Sequence, residues 1–278
     1  MSEQKIYGYN REQLMNIEPV ILRSFIHERT HHGIEVLIYR ILAGKKKKPR
    51  NFGHEAKLLL EVWIERGLPI DAPDLHWSAR YVELADRLNA GESISLEEKL
   101  PLPFSEQEIT TVKKLLYERR SIRQFLNKPV PEEMVNEVMK AGLMAPQGCN
   151  VGSTRFIVLR DPKEMKMMAS DIPIENGVMI VVCQDMRVYE SLRFDKFVPQ
   201  NIYYDAAAAA DHMVLMAHAL GLGACWLTHG IETQKKIQQY FGLPETFISR
   251  CHIILGWPDE APIKSERMKL KEAIIEKK

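Results

Sequence analysis

The sequence predicts a layered α/β or α+β fold preceded by a helical region. Two observations carry this. Residues from about 105 onward alternate helix-like periodic stretches with four short apolar runs of strand length. Residues 1 to about 104 show helical periodicity, with no strand-like alternation and no internal repeat. Neither G-x-G-x-x-G after a strand nor G-x-x-x-x-G-K-[ST] occurs, so a Rossmann or P-loop phosphate site is not supported.

In the first region, Glu12 to His27 carries Leu14, Ile17, Ile21, Leu22, Phe25 and Ile26 near helical spacing. Ile34 to Leu42 is a second apolar stretch, closed by Gly44. Lys45-Lys46-Lys47-Lys48-Pro49-Arg50 reads as a solvated loop, because it is short, lacks aromatic residues and contains Pro49. Glu55 to Arg66 and Trp77 to Leu88 are further helices. No metal site is read from His31, His32 and His54.

Pro101-Leu102-Pro103-Phe104 marks a boundary. Ser105 and Glu108 form a capping-box pattern, with Phe104 and Ile109 as a hydrophobic staple. The helix that follows delivers Arg119-Arg120-Ser121-Ile122-Arg123-Gln124-Phe125 at its exit. Three guanidiniums and a hydroxyl within five residues suit a phosphate, although a basic helix end also complements the helix dipole. Glu132 to Leu143 is the next helix. The small-residue loop Ala145-Pro146-Gln147-Gly148-Cys149-Asn150-Val151-Gly152-Ser153 suits either close backbone approach to a ligand or a tight connection.

Phe156 to Leu159 and Gly177 to Cys183 are buried strands, separated by a helix that Asp161 caps and Pro162 opens. Gln184 to Asn201 mixes charge and aromatics, and reads as a partly helical excursion over a pocket or a plain surface connection. Tyr203 to Leu220, with five alanines from Ala206, is apolar almost all round and belongs in a core or large interface. Ala224 to Thr228 is a third strand, Thr233 to Tyr240 a helix, Cys251 to Gly256 a fourth strand, and a short helix ends the chain.

The composition is that of an ordinary globular protein: 278 residues, 45% hydrophobic and 27% charged. Lys+Arg 38 against Asp+Glu 37 gives +1, so charge offers no argument for nucleic acid or an anionic membrane. The four cysteines are widely spaced and form no C-x-x-C, as for reduced thiols in the cytoplasm. The opening MSEQKIYGYN lacks the apolar stretch of a secretory leader, and no run approaches membrane-span length.

Five segments in order resemble the nitroreductase family of flavin enzymes. Arg119 to Phe125 is similar to its R-R-S-x-R-x-F. Ala145 to Asn150 with Arg155-Phe156-Ile157-Val158 is similar to its A-P-S-x-x-N loop and strand. Asp205 with the alanine run resembles its central dimerisation helix, Gly221 to Leu227 its G-L-G-x-x-W, and Gly256-Trp257-Pro258 with Arg267 its G-Y-P…R ending. The resemblance implies an α+β fold, a mostly antiparallel sheet flanked by helices, in residues 105–278, with residues 1–104 as a helical extension. It also implies a homodimer holding FMN at the subunit interface. Arg119, Arg120, Ser121, Arg123 and Arg267 would hold the FMN phosphate and ribityl chain. Pro146, Gln147, Gly148 and Asn150 would reach the flavin from the partner, with Leu227 and Thr228 along the ring edge.

The implied activity is a ping-pong transfer from NADH or NADPH to an electron-poor acceptor such as a nitroaromatic or quinone. Reductive dehalogenation, oxygen-dependent flavin chemistry and a non-catalytic flavin sensor are the alternatives. Gly152-Ser153-Thr154 departs from the family's usual Gln-Pro-Trp, which alters the pocket wall. No side chain stands out as acid or base. His229 is a candidate proton donor or a structural turn residue, and nothing in the sequence marks Cys149 as activated.

Overall fold

The computed structural model describes residues 5–95, 100–168 and 177–277. Residues 1–4, the start of the polar opening stretch, lie outside the described residues.

The N-terminal region is helical, as its periodicity predicts. Helices α1 (Arg11–Asn16) and α2 (Pro19–Thr30) replace the single expected helix. The break falls at Ile17, an extended residue, and Pro19 restarts the chain at the first helical position, where its missing N–H costs nothing. From α2 the chain winds through a π-helical turn (His31–Glu35) directly into α3 (Val36–Leu42), so two expected stretches form one continuous rod. Helices α4 (His54–Glu65) and α5 (Pro73–Asn89) complete the region.

The second region holds a four-stranded, wholly antiparallel sheet: β1 (Thr154–Leu159), β2 (Val178–Asp185), β3 (Gly223–Thr228) and β4 (Phe247–Gly256), in the order β1-β2-β4-β3. The region also holds helices α6 (Glu106–Glu118), α7 (Glu132–Leu143), α8 (Pro162–Met168), α9 (Met186–Ser191), α10 (Phe194–Phe197), α11 (Asn201–Ala219), α12 (Ile231–Phe241) and α13 (Leu270–Ala273). One sheet face packs on α7 and α11 through Val135, Val138, Ala206, Ala210 and Met213. The other packs on α8 and α12 through Met165, Met168 and Ile237. β2 is buried at every position, which explains why its sequence is apolar without alternation. The alanines of α11 let that helix lie close against the sheet.

The Ser105–Glu108 capping box forms. The staple beside it does not bury its members: Phe104 is 60% and Ile109 42% exposed. The Gln184 to Asn201 segment is more than a surface connection. Its Val188 and Leu192 enter a core with Leu22, Phe25 and Trp63 of the N-terminal helices, and Tyr189 is fully buried. Among the described residues, no helix is long and apolar enough to cross a membrane, and no group of three or more His, Cys, Asp or Glu side chains is placed to hold a metal.

Candidate functional site

The Arg119–Phe125 segment is pinned by two strands. Arg119 closes α6 in an extended conformation. Ser121 then bridges Ala224 at the start of β3, where Ile122 N donates to Ala224 O at 3.1 Å. Phe125 bridges Pro258 just after β4, with Leu126 N on Trp257 O and Asp259 N on Gln124 O, both 2.9 Å. Gly223 permits the crossing, since a Cβ there would sit 2.7 Å from Ile122 Cβ. The R-R-S-x-R-x-F, G-L-G and G-W-P segments, remote in sequence, thus meet.

Burial raises the pKa of the Cys225 thiol, and Arg123, the Ser121 hydroxyl and Arg119 pull against it without reversing it. Arg119 also acts on His218, lowering a pKa already depressed by burial. Arg120 Nη1 donates to Pro262 O at 2.6 Å. The Glu260 carboxylate accepts from the successive N–H groups of Arg123 and Gln124, an arrangement that favours an anion. An open cavity of about 330 Å³ adjoins these groups, lined by Arg119, Arg120, Ile122, Val214, His218 and Ala224 among others. Arg267 is not brought to this cluster by any hydrogen bond; it donates to Glu266 O at 3.2 Å within the exposed tail.

The second group of predicted residues lies on the loop before β1. Cys149 and Asn150 have φ of 53° and 55°, so the backbone turns left-handed twice in succession. Gln147 braces the loop, accepting from Gly152 N at 3.1 Å and donating toward Thr154 Oγ1 at 3.4 Å. Gly148 N donates to Asp205 Oδ1 at 2.9 Å. Pro146 and Asn150 are exposed. Asp205 is buried, and burial raises its carboxyl pKa against the pull of its hydrogen bonds. Its Oδ2 accepts from Tyr189 Oη at 2.7 Å, which also meets Ser153 Oγ at 2.7 Å and accepts from Gln184 Nε2 at 2.9 Å. The family-departing Ser153 is therefore a member of a buried polar network.

Leu227 and Thr228 end β3, paired with His252 and Cys251. Behind them His229 Nδ1 lies 3.2 Å from His252 Nδ1, with the rings stacked, and His229 Nε2 lies 2.9 Å from Ser249 Oγ. Burial lowers both imidazole pKa values, that of His252 to about 4. His229 was visible in the sequence, whereas His252 and Ser249 were not, because strand pairing brings them in from twenty-three and twenty residues away. Cys149 Sγ is 3.9 Å from His32 Nε2, and burial, followed by Glu28 and Asp205, raises its thiol to about 11.

The two predicted groups sit toward opposite ends of α11. The loop is tied to Asp205, and Arg119 faces the cavity beside His218. At 1.5 Å per residue these points are roughly 20 Å apart along the helix. Within one chain they line different places.

A model described as the nitroreductase family matches residues 116–172 and 166–257. A protein of Archaeoglobus fulgidus, provisionally named NADH dehydrogenase/NAD(P)H nitroreductase, is 30% identical over 156 residues, 53% of this chain and 85% of that protein. A crystal structure from Desulfovibrio desulfuricans, provisionally named a nitroreductase and in complex with FMN, superposes with a TM-score of 0.52 at 30% identity, covering 60% of this chain and 96% of that one. Iodotyrosine deiodinase 1 of Rattus norvegicus is 41% identical over 58 residues, 21% of this chain and 20% of that protein.

Proposed function

The chain belongs to the nitroreductase family, and on that premise we propose that it is a cytoplasmic, homodimeric, FMN-dependent oxidoreductase. It takes hydride from NADH or NADPH and reduces an electron-poor acceptor such as a nitroaromatic or quinone. Residues 105–278 form the FMN-binding domain and residues 1–104 its helical extension.

The observation that carries the reading is the roughly 20 Å separation between the Arg119 cavity and the Gly148 loop along α11. A second copy resolves it: one chain supplies Arg119, Arg120, Ser121 and Arg123, and the other supplies Pro146, Gln147, Gly148 and Asn150. The donor set fits a phosphomonoester. The N–H groups of Arg123 and Gln124 already receive an anionic oxygen from Glu260, and Arg119 stands beside the cavity. Arg267, on the exposed tail, would complete the phosphate set.

Bound FMN supplies hydride acceptance and release. The chain's own residues hold the phosphate, brace the loop through Asp205 and present Leu227 and Thr228 to the ring edge. The neutral His229–His252 pair stands behind that edge.

Mixed dimers test this arrangement. Arg119→Ala and Asp205→Ala each damage one half-site, so each homodimer loses FMN. A heterodimer of the two retains one intact site and binds about half the wild-type FMN. Mixed dimers without FMN would refute the composite site, and wild-type protein that neither binds FMN nor gains melting temperature from it would refute the function. The deiodinase likeness favours a second reading, reductive dehalogenation on the same site. Halide release from an iodinated phenol in place of nitroaromatic-dependent NAD(P)H oxidation would select it.

A further inference from the structure

Arg250 is the residue left over where β2 and β4 change register. Val182 pairs with Cys251 and Cys183 with Ser249, so Arg250 has no counterpart on β2. β3 ends its pairing at Cys251, leaving Arg250 beyond that neighbour too. A bulge of this kind bends the strand and re-aims a side chain. Here the side chain turns toward Gln184 and Tyr203 on the α11 side of the sheet.

Among the described residues, the contacts of this half-buried guanidinium are all uncharged. Nε donates to Gln184 Oε1 at 2.9 Å, and Nη2 lies 3.3 Å from Met186 Sδ. The guanidinium carbon is 5.1 Å from the centre of the Tyr203 ring, and Tyr203 is 64% exposed. Asp205, the carboxylate on the same network, is engaged by Gly148 N and Tyr189 Oη. Arg187 makes the contrast plain: it is held by Asp185 through two nitrogens and by Glu18. Burial lowers the pKa of Arg250, while carboxylate contacts raise that of Arg187. A guanidinium partly withdrawn from water without a carboxylate is short of a counter-charge. Nη1 makes no hydrogen bond among the described residues, which leaves the guanidinium donors for a carboxylate, and the Tyr203 ring it stacks on is exposed beside it.

We propose that Arg250 and Tyr203 form a binding site for an aromatic carboxylate, the anionic end of the electron acceptor. The acceptor role rests on the oxidoreductase reading above. The Gln184–Tyr189–Asp205 chain connects this site to the Gly148 loop, so recognition of the acid and placement of the loop share one support.

Calorimetric titration of the full-length, FMN-loaded protein with benzoate and with benzamide reads the site without turnover. Wild type prefers benzoate. Arg250→Met weakens benzoate at least about tenfold and leaves benzamide unaltered, and Arg250→Lys, which keeps charge but loses the fork, falls between them. Unaltered melting of the Met variant excludes misfolding. Equal binding of the two ligands, or benzoate binding indifferent to Arg250, overturns the site. Steady-state kinetics then tests the role: Arg250→Met raises the KM ratio of 4-nitrobenzoate to nitrobenzene. A changed NADPH to NADH ratio with no change in the acceptor ratio assigns Arg250 to the donor phosphate and overturns the acceptor role. Benzoate bound through Arg250 in a protein with no NAD(P)H oxidation also overturns that role, and identifies the oxidoreductase reading as the part that failed.

Discussion

Gly148 N and Asp205 Oδ1 are joined at 2.9 Å, which fastens the left-handed loop to the first turns of α11. The other carboxylate oxygen takes Tyr189 Oη at 2.7 Å, inside the core. Asp205→Ala would remove the acceptor of a half-buried donor, Gly148 N, and of a buried one, Tyr189 Oη. At about 1–3 kcal/mol for each, a loss of roughly 2–6 kcal/mol is expected in urea unfolding. Tyr189→Phe removes the hydroxyl and its partners' bonds but leaves the Gly148 contact, so it should lower stability while retaining more FMN than Asp205→Ala. Flavin content after gel filtration separates the two.

Gly223 meets Ile122 where the arginine segment crosses β3. A methyl at Gly223 would lie 2.7 Å from both Ile122 Cβ and Cγ2, near the branch point, where rotation gives little relief. Gly223→Ala should cost about 1–3 kcal/mol by overpacking and displace Ser121 and Arg123 with Ile122. Its expected signature is a fall in FMN affinity, by fluorescence titration, alongside the lowered melting temperature. Gly221→Ala, two residues earlier with open space around it but a φ of 79°, should strain the backbone without that contact.

Much of this arrangement was legible because it depends on local chemistry. The Ser105–Glu108 spacing gave the start of α6, and the order of the R-R-S, G-L-G and G-W-P segments carried the family resemblance, though not their meeting around Ile122 and Phe125. What escaped depends on register. A single-residue slip between β2 and β4 singles out Arg250, and nothing in F-I-S-R-C-H announces it. His252 pairs with Leu227 only once β3 and β4 align. The burial of α9 was signalled by Val188 and Leu192 at i,i+4, but the surrounding charges of Arg187, Glu190 and Arg193 concealed it.

The His229–His252 pair makes stability depend on pH. His252 has its pKa pushed down to about 4, first by burial and then by His229. Between pH 4 and its ordinary value near 6.5, the unfolded chain binds the proton more readily than the native one. Stability is therefore fully present above pH 6.5 and is lost as pH falls through this window. At 1.36 kcal/mol per unit, His252 alone should remove roughly 2 kcal/mol between pH 7.5 and 5.0. The downward shift of His229 acts in the same direction. Urea midpoints at those two pH values should differ in the wild type and converge in His252→Gln, whose side chain does not titrate.

The N-terminal extension also bears on the site through packing. Val188 and Leu192 of α9 and Val151 of the loop belong to one core with Leu22, Phe25, Ile26, Leu59 and Trp63. α9 also carries Tyr189, whose hydroxyl holds Asp205 and through it Gly148. Loosening the extension should therefore reach the loop without touching it. Phe25→Ala, at a fully buried position, is expected to cost about 3–5 kcal/mol and to lower FMN affinity, although Phe25 lies outside the proposed flavin contacts. Deleting residues 1–104 leaves Val151, Val188 and Leu192 uncovered, and the remainder should aggregate or purify without flavin. A 105–278 fragment that melts cooperatively and keeps FMN would instead make the extension a separable module.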